Sequence, residues 1–373
     1  MTKIAFTGDV AFTKHFSKSC SDEKLLSEQI VKFLSSSDYT VVNVEGAIAS
    51  NSVRTDKPLT HANPYECVDW IKKINGNIWN LANNHSMDCG NIGMQSTLDA
   101  AQKNNCMTVG AGMNIESAQK PVIIDAEGGI GIVAVTYFRQ NKADAESPGC
   151  FVAEDEENVK KQIKEIKAKN RWCIVLSHVG HEFSQMPLPF LRRRYKRYLK
   201  YGADIVVGHH SHVVQNYEKF GKKIVFYSLG NFIFDTDYQR VQKYTDYGML
   251  IKIKFDQNDY SWEFLSVKNN RNSSTISGSE IPTIFRNINA FEYGLLWPLA
   301  AKHLCLNERK KNTFHHPEFE KRSWLDWFFK FELKNCKKPQ GRDIMLGRFL
   351  SLFHLWKFAD SKMLQYIKEK AKF

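Results

Sequence analysis

Six short segments of this 373-residue chain concentrate side chains able to ligate a metal. They are Gly8-Asp9-Val10, Asn43-Val44-Glu45-Gly46, Leu81 to Gly90 (LANNHSMDCG), Ser177 to Glu182 (SHVGHE), Gly208 to His212 (GHHSH) and Ser228 to Phe232 (SLGNF). Neutral imidazole combined with carboxylate and amide oxygen is the ligand set of a borderline divalent ion such as Zn²⁺, Mn²⁺ or Fe²⁺. Asp9, Glu45, Asn84, His178, His210 and His212 make up such a set. Singly, each has an ordinary alternative. A strand-end Asp is a common turn former, Asn83-Asn84-His85 suits a plain turn because Asn tolerates left-handed backbone, and the i, i+2 pair His210 and His212 shares a face only if that segment is extended.

For these segments to meet, the chain must bring them to one place. Nine short apolar or β-branched runs read as strands: 4–7, 40–44, 78–81, 122–125, 130–136, 172–177, 205–207, 224–228 and 248–255. Helix-period stretches at 22–34, 64–74, 94–103, 154–169 and 189–201 lie between several of them, so the class is α/β. Five of the six segments follow directly from a strand or form its end. Open α/β sheets place ligands outside the carboxyl ends of their strands, and parallel strands would carry residues distant in sequence to one edge.

Composition bounds the rest. Hydrophobic residues at 43% and charged residues at 25% are ordinary globular proportions, which excludes a disordered or fibrous chain. The net charge of +12 is uneven: residues 1–270 hold 33 Lys/Arg against 30 Asp/Glu, residues 271–373 hold 19 against 10. Eight cysteines without a C-x-x-C pair suit a reducing compartment. The N-terminus has no signal-peptide pattern, and the apolar stretch 344–358 is too short and too charged to span a bilayer. The expectation is a cytoplasmic protein.

The texture changes near residue 268, where the polar stretch KNNRNSSTISGSE (268–280) reads as a loop or linker. Two units are therefore expected, an α/β domain over 1–268 and a basic, aromatic-rich, mainly helical region over 269–373. The second unit holds 17 of the 47 aromatics, with Trp324, Trp327, Phe328 and Phe331 at helical spacing. Basic residues interleaved with Trp and Phe suit either an interfacial helix on an anionic membrane surface or packing against the α/β domain, and packing is favoured. The run Arg192 to Lys200 reads as a helix with Leu191, Tyr195, Tyr198 and Leu199 inward and its cations in water. No recognition motif accompanies it, which argues against nucleic acid as a partner.

Taken in order, GDV, NVEG, LANNHSMDCG, VGAGMN (109–114), LSHVGHEF, GADIVVGHHSHVVQ (202–215) and YSLGNFIFD (227–235) resemble the capsule synthesis protein A family. That family is associated with poly-γ-glutamate and capsule biosynthesis and belongs to the calcineurin-like metallophosphoesterase superfamily. The resemblance covers about residues 1–255. It implies a β-sandwich of two mixed sheets flanked by helices. Asp9 resembles the first aspartate of the superfamily's site, Asn84 and His85 its Asn-His motif, His178 its lone histidine, and His210 and His212 its closing pair. Where dinuclear members carry Asp-x-His, this chain has Ala11 at the third position, and Glu45 stands in place of the bridging aspartate. One divalent ion (Mn, Zn or Fe), or one strong and one weak site, is therefore expected.

By the same resemblance His85 would stabilise or protonate the reacting group, and Asp88 would either orient that imidazole or cap the next helix. Glu182 and Asn231 are expected to support the ligands. Lys57, in KPLTHANP, matches a loose family pattern; it is a candidate contact for a substrate carboxylate or phosphate, although an exposed lysine is usually just solvated. The implied activity is a metal-dependent hydrolase, or a transferase-like enzyme, in capsule, polyglutamate or surface-polymer biosynthesis. The expected partners are an anionic polymer or its precursor, capsule-synthesis enzymes, and a peripheral contact with the inner membrane through the C-terminal region. The alternatives are a non-catalytic accessory protein and a general metallophosphatase.

Overall fold

Alternation along the strands decides what each sheet face is buried against, since successive side chains point to opposite sides. In the computed structural model, which describes residues 1–49, 60–271, 275–301, 342–348 and 350–351, Ile4 and Phe6 enter one core cluster while Ala5 and Val10 enter another. In Trp172–His178, Ile174 and Leu176 join the first cluster while Cys173 and Val175 face a third. Two sheets therefore share one apolar layer, and each buries its outer face under helices.

The first sheet has eight strands, in the order Thr275–Gly278, Tyr260–Asn270, Tyr247–Phe255, Thr2–Val10, Tyr39–Val44, Ile78–Asn80 and Met107–Val109, with Asn231–Ile233 also paired to Thr2–Val10. From Thr2–Val10 to Met107–Val109 the pairs are parallel, and the hairpin strands on the other side are antiparallel. The second sheet has six strands, Tyr217–Phe220, Lys223–Phe226, Ile205–His209, Trp172–His178, Ile130–Thr136 and Val122–Ile124, parallel inside and antiparallel at both edges. This is the expected α/β sandwich of two mixed sheets. All nine strand runs and all five helical stretches read from the sequence contain elements of the expected type.

The helix Pro189–Tyr201 buries Leu191, Tyr195, Tyr198 and Leu199 and ends at Gly202, as the sequence predicts. Its cations are not all in water. Arg194 is buried over the rings of Tyr137 and Phe190, Arg192 makes a bidentate pair with Glu218 at 2.8 Å on both arms, and Arg197 grips Glu156. Arg192 and Arg197 are paired within the fold and Arg194 is buried, which withdraws three of the run's six cations from a free basic surface.

The stretch 268–280 differs from a loop. The strand Tyr260–Asn270 runs through its start, and Thr275–Gly278 returns antiparallel with Asn270 opposite Thr275. Ile276, buried at 1% exposure, anchors the return by backbone bonds to Leu25 and Ser27, while polar neighbours mask the strand in the sequence. Beyond it, Ile288, Tyr293, Leu296, Trp297, Ala300 and Ala301 pack with Met186 and Leu188. The stripe Trp324, Trp327, Phe328 and Phe331 lies outside the described residues, as does Lys57. Among the described residues no helix is long and apolar enough to cross a membrane.

Candidate metal centre

Asp9 sits near the carboxyl end of its strand, where the pairing register shifts between Phe6 and Asp9. Such an irregularity re-aims a side chain. Asp9 lies opposite Asn43, and Asn43 opposite Asn80, so three polar residues stand abreast at one sheet edge. They form a chain: Asn80 donates to Asn43 Oδ1 at 2.7 Å and Asn43 donates to Asp9 Oδ1 at 2.8 Å. Glu45 follows directly, its backbone N–H held by Val10 O at 2.8 Å. In the second sheet His178 and His209 are terminal residues of neighbouring strands and stand in register. His209 Nε2 donates across to Thr7 O at 3.0 Å, tying the two sheets together just behind Asp9.

These strand ends converge on Glu45. Its Oε1 lies 3.7 Å from His212 Nε2, 3.8 Å from His178 Nε2 and 4.0 Å from His85 Nε2. His212 Nδ1 is 3.2 Å from Asp9 Oδ2 and donates to Asn231 Oδ1 at 2.9 Å, while Asn231 is held through its own amide by Gln239 and Thr245. His178 Nε2 lies 2.8 Å from Asn84 Oδ1. The rings of His178 and His210 are 5.0 Å apart, and Phe138 packs on His210 at the same centroid distance. Asp9, Glu45 and His212 each offer a ligand atom within 4.8 Å of the others. His210 and His212 hold left-handed backbone, at φ 82° and 54°. They therefore do not converge as an extended i, i+2 pair; the turn aims both inward, at a conformational cost that surrounding structure must hold in place.

The polar atoms left unpartnered fit a cation. Both carboxylate oxygens of Glu45, together with Asp9 Oδ2 and His210 Nδ1, are buried without a hydrogen bond. Burying a carboxylate without a donor or a counter-ion is strongly unfavourable. Burial pushes the Glu45 carboxyl well above its usual range. It likewise drives His178 well below the usual imidazole value and His210 down to about 3, which favours the neutral form that ligation requires. His212 is the exception: burial opposes its charge, but Glu45 and Asp9 outweigh that and hold it up to about 9.

His85 and Asp88 stand beside this cluster as a pair. His85 Nδ1 lies 2.6 Å from Asp88 Oδ2, and the same oxygen accepts the backbone N–H of His61 at 2.8 Å. Asp88 therefore orients the imidazole. A cavity of about 180 Å³ opens here, lined among others by His61, His85, Glu182, Phe183, His212 and Phe234. A larger surface groove of about 810 Å³, lined by Tyr65, Asp69, Ile92, Asp99 and Lys103, lies on the helices away from these histidines.

Three participants escape a reading of the sequence. Asn43 opens the NVEG segment, and its one clue is an amide inside an otherwise apolar strand. His61, packed on His85 at a centroid distance of 4.1 Å, lies in the KPLTHANP stretch where the lysine and proline draw attention. Asn141, whose amide donates to the carbonyls of Asn83 and Asn84, gives no local signal at all.

The chain is similar to several known proteins. The chain is 30% identical over 246 residues to the PGA biosynthesis protein CapA of Bacillus subtilis (strain 168), covering 64% of each chain. It is 28% identical over 252 residues to the capsule biosynthesis protein CapA of Bacillus anthracis, covering 64% of this chain and 61% of that one. The matched segment thus spans just under two thirds of those relatives' length. A 23% match over 212 residues joins it to a "Probable polyglutamine synthesis accessory protein" of Mycobacterium tuberculosis (strain CDC 1551 / Oshkosh), covering 53% of this chain and 56% of that one. Among solved structures it is similar to a 5′-nucleotidase from Candida albicans SC5314, with TM-score 0.42, 10% identity and coverage of 86% and 58% of the two chains. The model for bacterial capsule synthesis protein PGA_cap matches residues 3–236, a span that contains every residue of the cluster from Asp9 to Asn231, and this chain belongs to that family.

Proposed function

We propose that Asp9, Glu45, Asn84, His178, His210 and His212 hold a divalent metal ion, and that the chain is a metal-dependent hydrolase acting on a capsule, poly-γ-glutamate or related surface-polymer intermediate. The observation that carries this reading is the Glu45 carboxylate, fully buried, without a hydrogen bond and faced by three imidazole nitrogens within 4.0 Å. A divalent ion there would supply the charge that acidifies water and stabilises negative charge on a substrate oxygen. Ala11, buried where a further ligand would stand, favours one tightly held ion over two.

The chain's own residues do the rest. Asp88 fixes His85 with its Nδ1 proton inward, leaving Nε2 on the cavity side, where the imidazolium form donates a proton to a departing oxygen or nitrogen and is left neutral. Asn231 fixes the His212 tautomer by accepting from Nδ1, which leaves Nε2 turned toward Glu45. Asn43 holds one Asp9 oxygen and frees the other. Glu182 lines the cavity beside His212 and is proposed to support that end of the ligand shell.

A panel of phosphoesters and γ-glutamyl amides, assayed with Mn²⁺, Zn²⁺ and Fe²⁺, tests the reading. Turnover of one class that is lost in His85→Asn with metal content unchanged is the expected result. A second reading, a non-catalytic accessory protein that binds an anionic polymer or a synthase, draws support from Ala11 and from the relative named as an accessory protein. Metal-independent binding of polyglutamate with no turnover of any panel member would favour it.

A further inference from the structure

The cavity over the cluster has one feature that the metal shell and the His85–Asp88 pair leave unused. Among the described residues lining it, the one Lys or Arg is Lys14. Two acids, Glu182 and Asp237, line the same cavity; Asp237 is engaged by His15 at 2.8 Å, and no carboxylate among the described residues lies at ion-pair distance from the ammonium of the exposed Lys14. The Lys14 backbone is left-handed, at φ 50°, a conformation unfavourable for a lysine. It is pinned there: Phe16 N–H donates to Thr13 O at 3.0 Å, the Ser17 hydroxyl donates to Lys14 O at 2.8 Å, and the Phe16 ring is fully buried. The His15–Asp237 contact ties this turn to the short helix Asp237–Arg240. Non-glycine residues held in such backbone are found at ligand sites more often than elsewhere.

The walls fit a substrate with a non-polar stem. Phe183 and Tyr238 pack edge to face at 5.3 Å, and Phe234 lies 4.6 Å from the His212 ring, so the lining is aromatic up to the cluster. Thr236 Oγ accepts from Gln239 N–H at 3.2 Å, which leaves its own proton to donate.

We infer that this cavity seats a compact oxyanion of the substrate, a carboxylate or phosphate joined by a short stem to the reacting bond, with Lys14 as its charge partner. The inference rests on the reading of the cluster as a reaction centre, and the test separates the two. Full-length wild type, Lys14→Met and Lys14→Arg are compared, each loaded with Mn²⁺ and each metal-free. Affinity for inorganic phosphate, glutarate and the neutral control glutaramide is measured by calorimetry, and metal equivalents are counted independently. Loss of a charge-assisted contact should weaken oxyanion binding about tenfold or more in Lys14→Met. Lys14→Arg should recover part of it, with glutaramide binding and metal content unchanged. A larger loss for phosphate or for glutarate tells which anion the site takes. Equal oxyanion affinity in wild type and Lys14→Met, or no binding of either anion by wild type, overturns the Lys14 assignment whatever the metal count. A wild type that takes up no Mn²⁺ on loading, with oxyanion affinity still lost in Lys14→Met, supports the subsite and discards the hydrolase.

Discussion

At the scale of single residues, the centre turns on protons that burial forces onto or off its groups. Burial leaves His178 and His210 neutral. Glu45 and Asp9 hold a proton on His212 up to about 9, against the pull of burial. A metal ligated by His212 must displace that proton. Apparent metal affinity should therefore rise as pH is raised toward about 9 and fall below it. Calorimetry at neutral pH, in buffers of different ionisation enthalpy, should register proton release on binding; affinity independent of pH from 6 to 9 contradicts this ordering of charges. Asp88→Asn makes a second test. It deprives His85 and the His61 N–H of a shared anionic acceptor, so turnover should fall about 10²-fold or more while metal content stays the same.

At the scale of elements, the site depends on strand ends that must stop in register. Gly230 is left-handed at φ +67°, its carbonyl accepts the Asp9 N–H at 2.9 Å, and a Cβ there would lie 2.7 Å from Tyr247 O. Gly230→Ala should therefore lower stability by at least the 1–2 kcal/mol of a left-handed non-glycine residue, roughly, and loosen Asp9. A lower melting temperature with weaker metal uptake is the expected outcome, and an unchanged melting temperature refutes it. The same logic explains what the sequence made legible. Strands buried on both faces are apolar runs, so Trp172–His178 and Ile205–His209 announce themselves, and a histidine at the end of each is visible as an interruption. Asp9, Glu45, His178, His210 and His212 stand at or just beyond such strand ends and draw attention for that reason, whereas Asn84 and His85 draw it through the motif resemblance. What is hidden is support supplied across the fold. Asn43 and Asn141 act through register and loop packing that no local spacing encodes. Arg194 reads as a wet cation because nothing in its helix reveals the rings of Tyr137 and Phe190 that cover it. Thr275–Gly278 reads as a loop because only Ile276 of its four residues is buried.

At the scale of the whole molecule, the two sheets and the segment beyond them meet near the cavity wall. Phe183 lines the cavity, and a few residues later Met186 and Leu188 pack under Leu296, Trp297 and Ala300. Tyr293 donates to Pro187 O at 2.9 Å and stacks under Arg192, which in turn grips Glu218 of the second sheet. Asp343 accepts the Phe190 N–H at the start of the helix Pro189–Tyr201. Trp297→Ala should remove about 3 kcal/mol or more of packing and speed hydrogen exchange in residues 183–190, while leaving metal content in the folded protein unchanged; exchange that is unaltered there contradicts a supporting role. The central claim remains the cation at Glu45. Elemental analysis of protein purified without chelator, comparing wild type with His210→Ala and Glu45→Gln, tests it most directly. The account predicts close to one equivalent of a transition metal in wild type, lost or sharply reduced in both variants while they remain folded. No metal in wild type after incubation with Mn²⁺, Zn²⁺ and Fe²⁺, or full occupancy in Glu45→Gln, contradicts it.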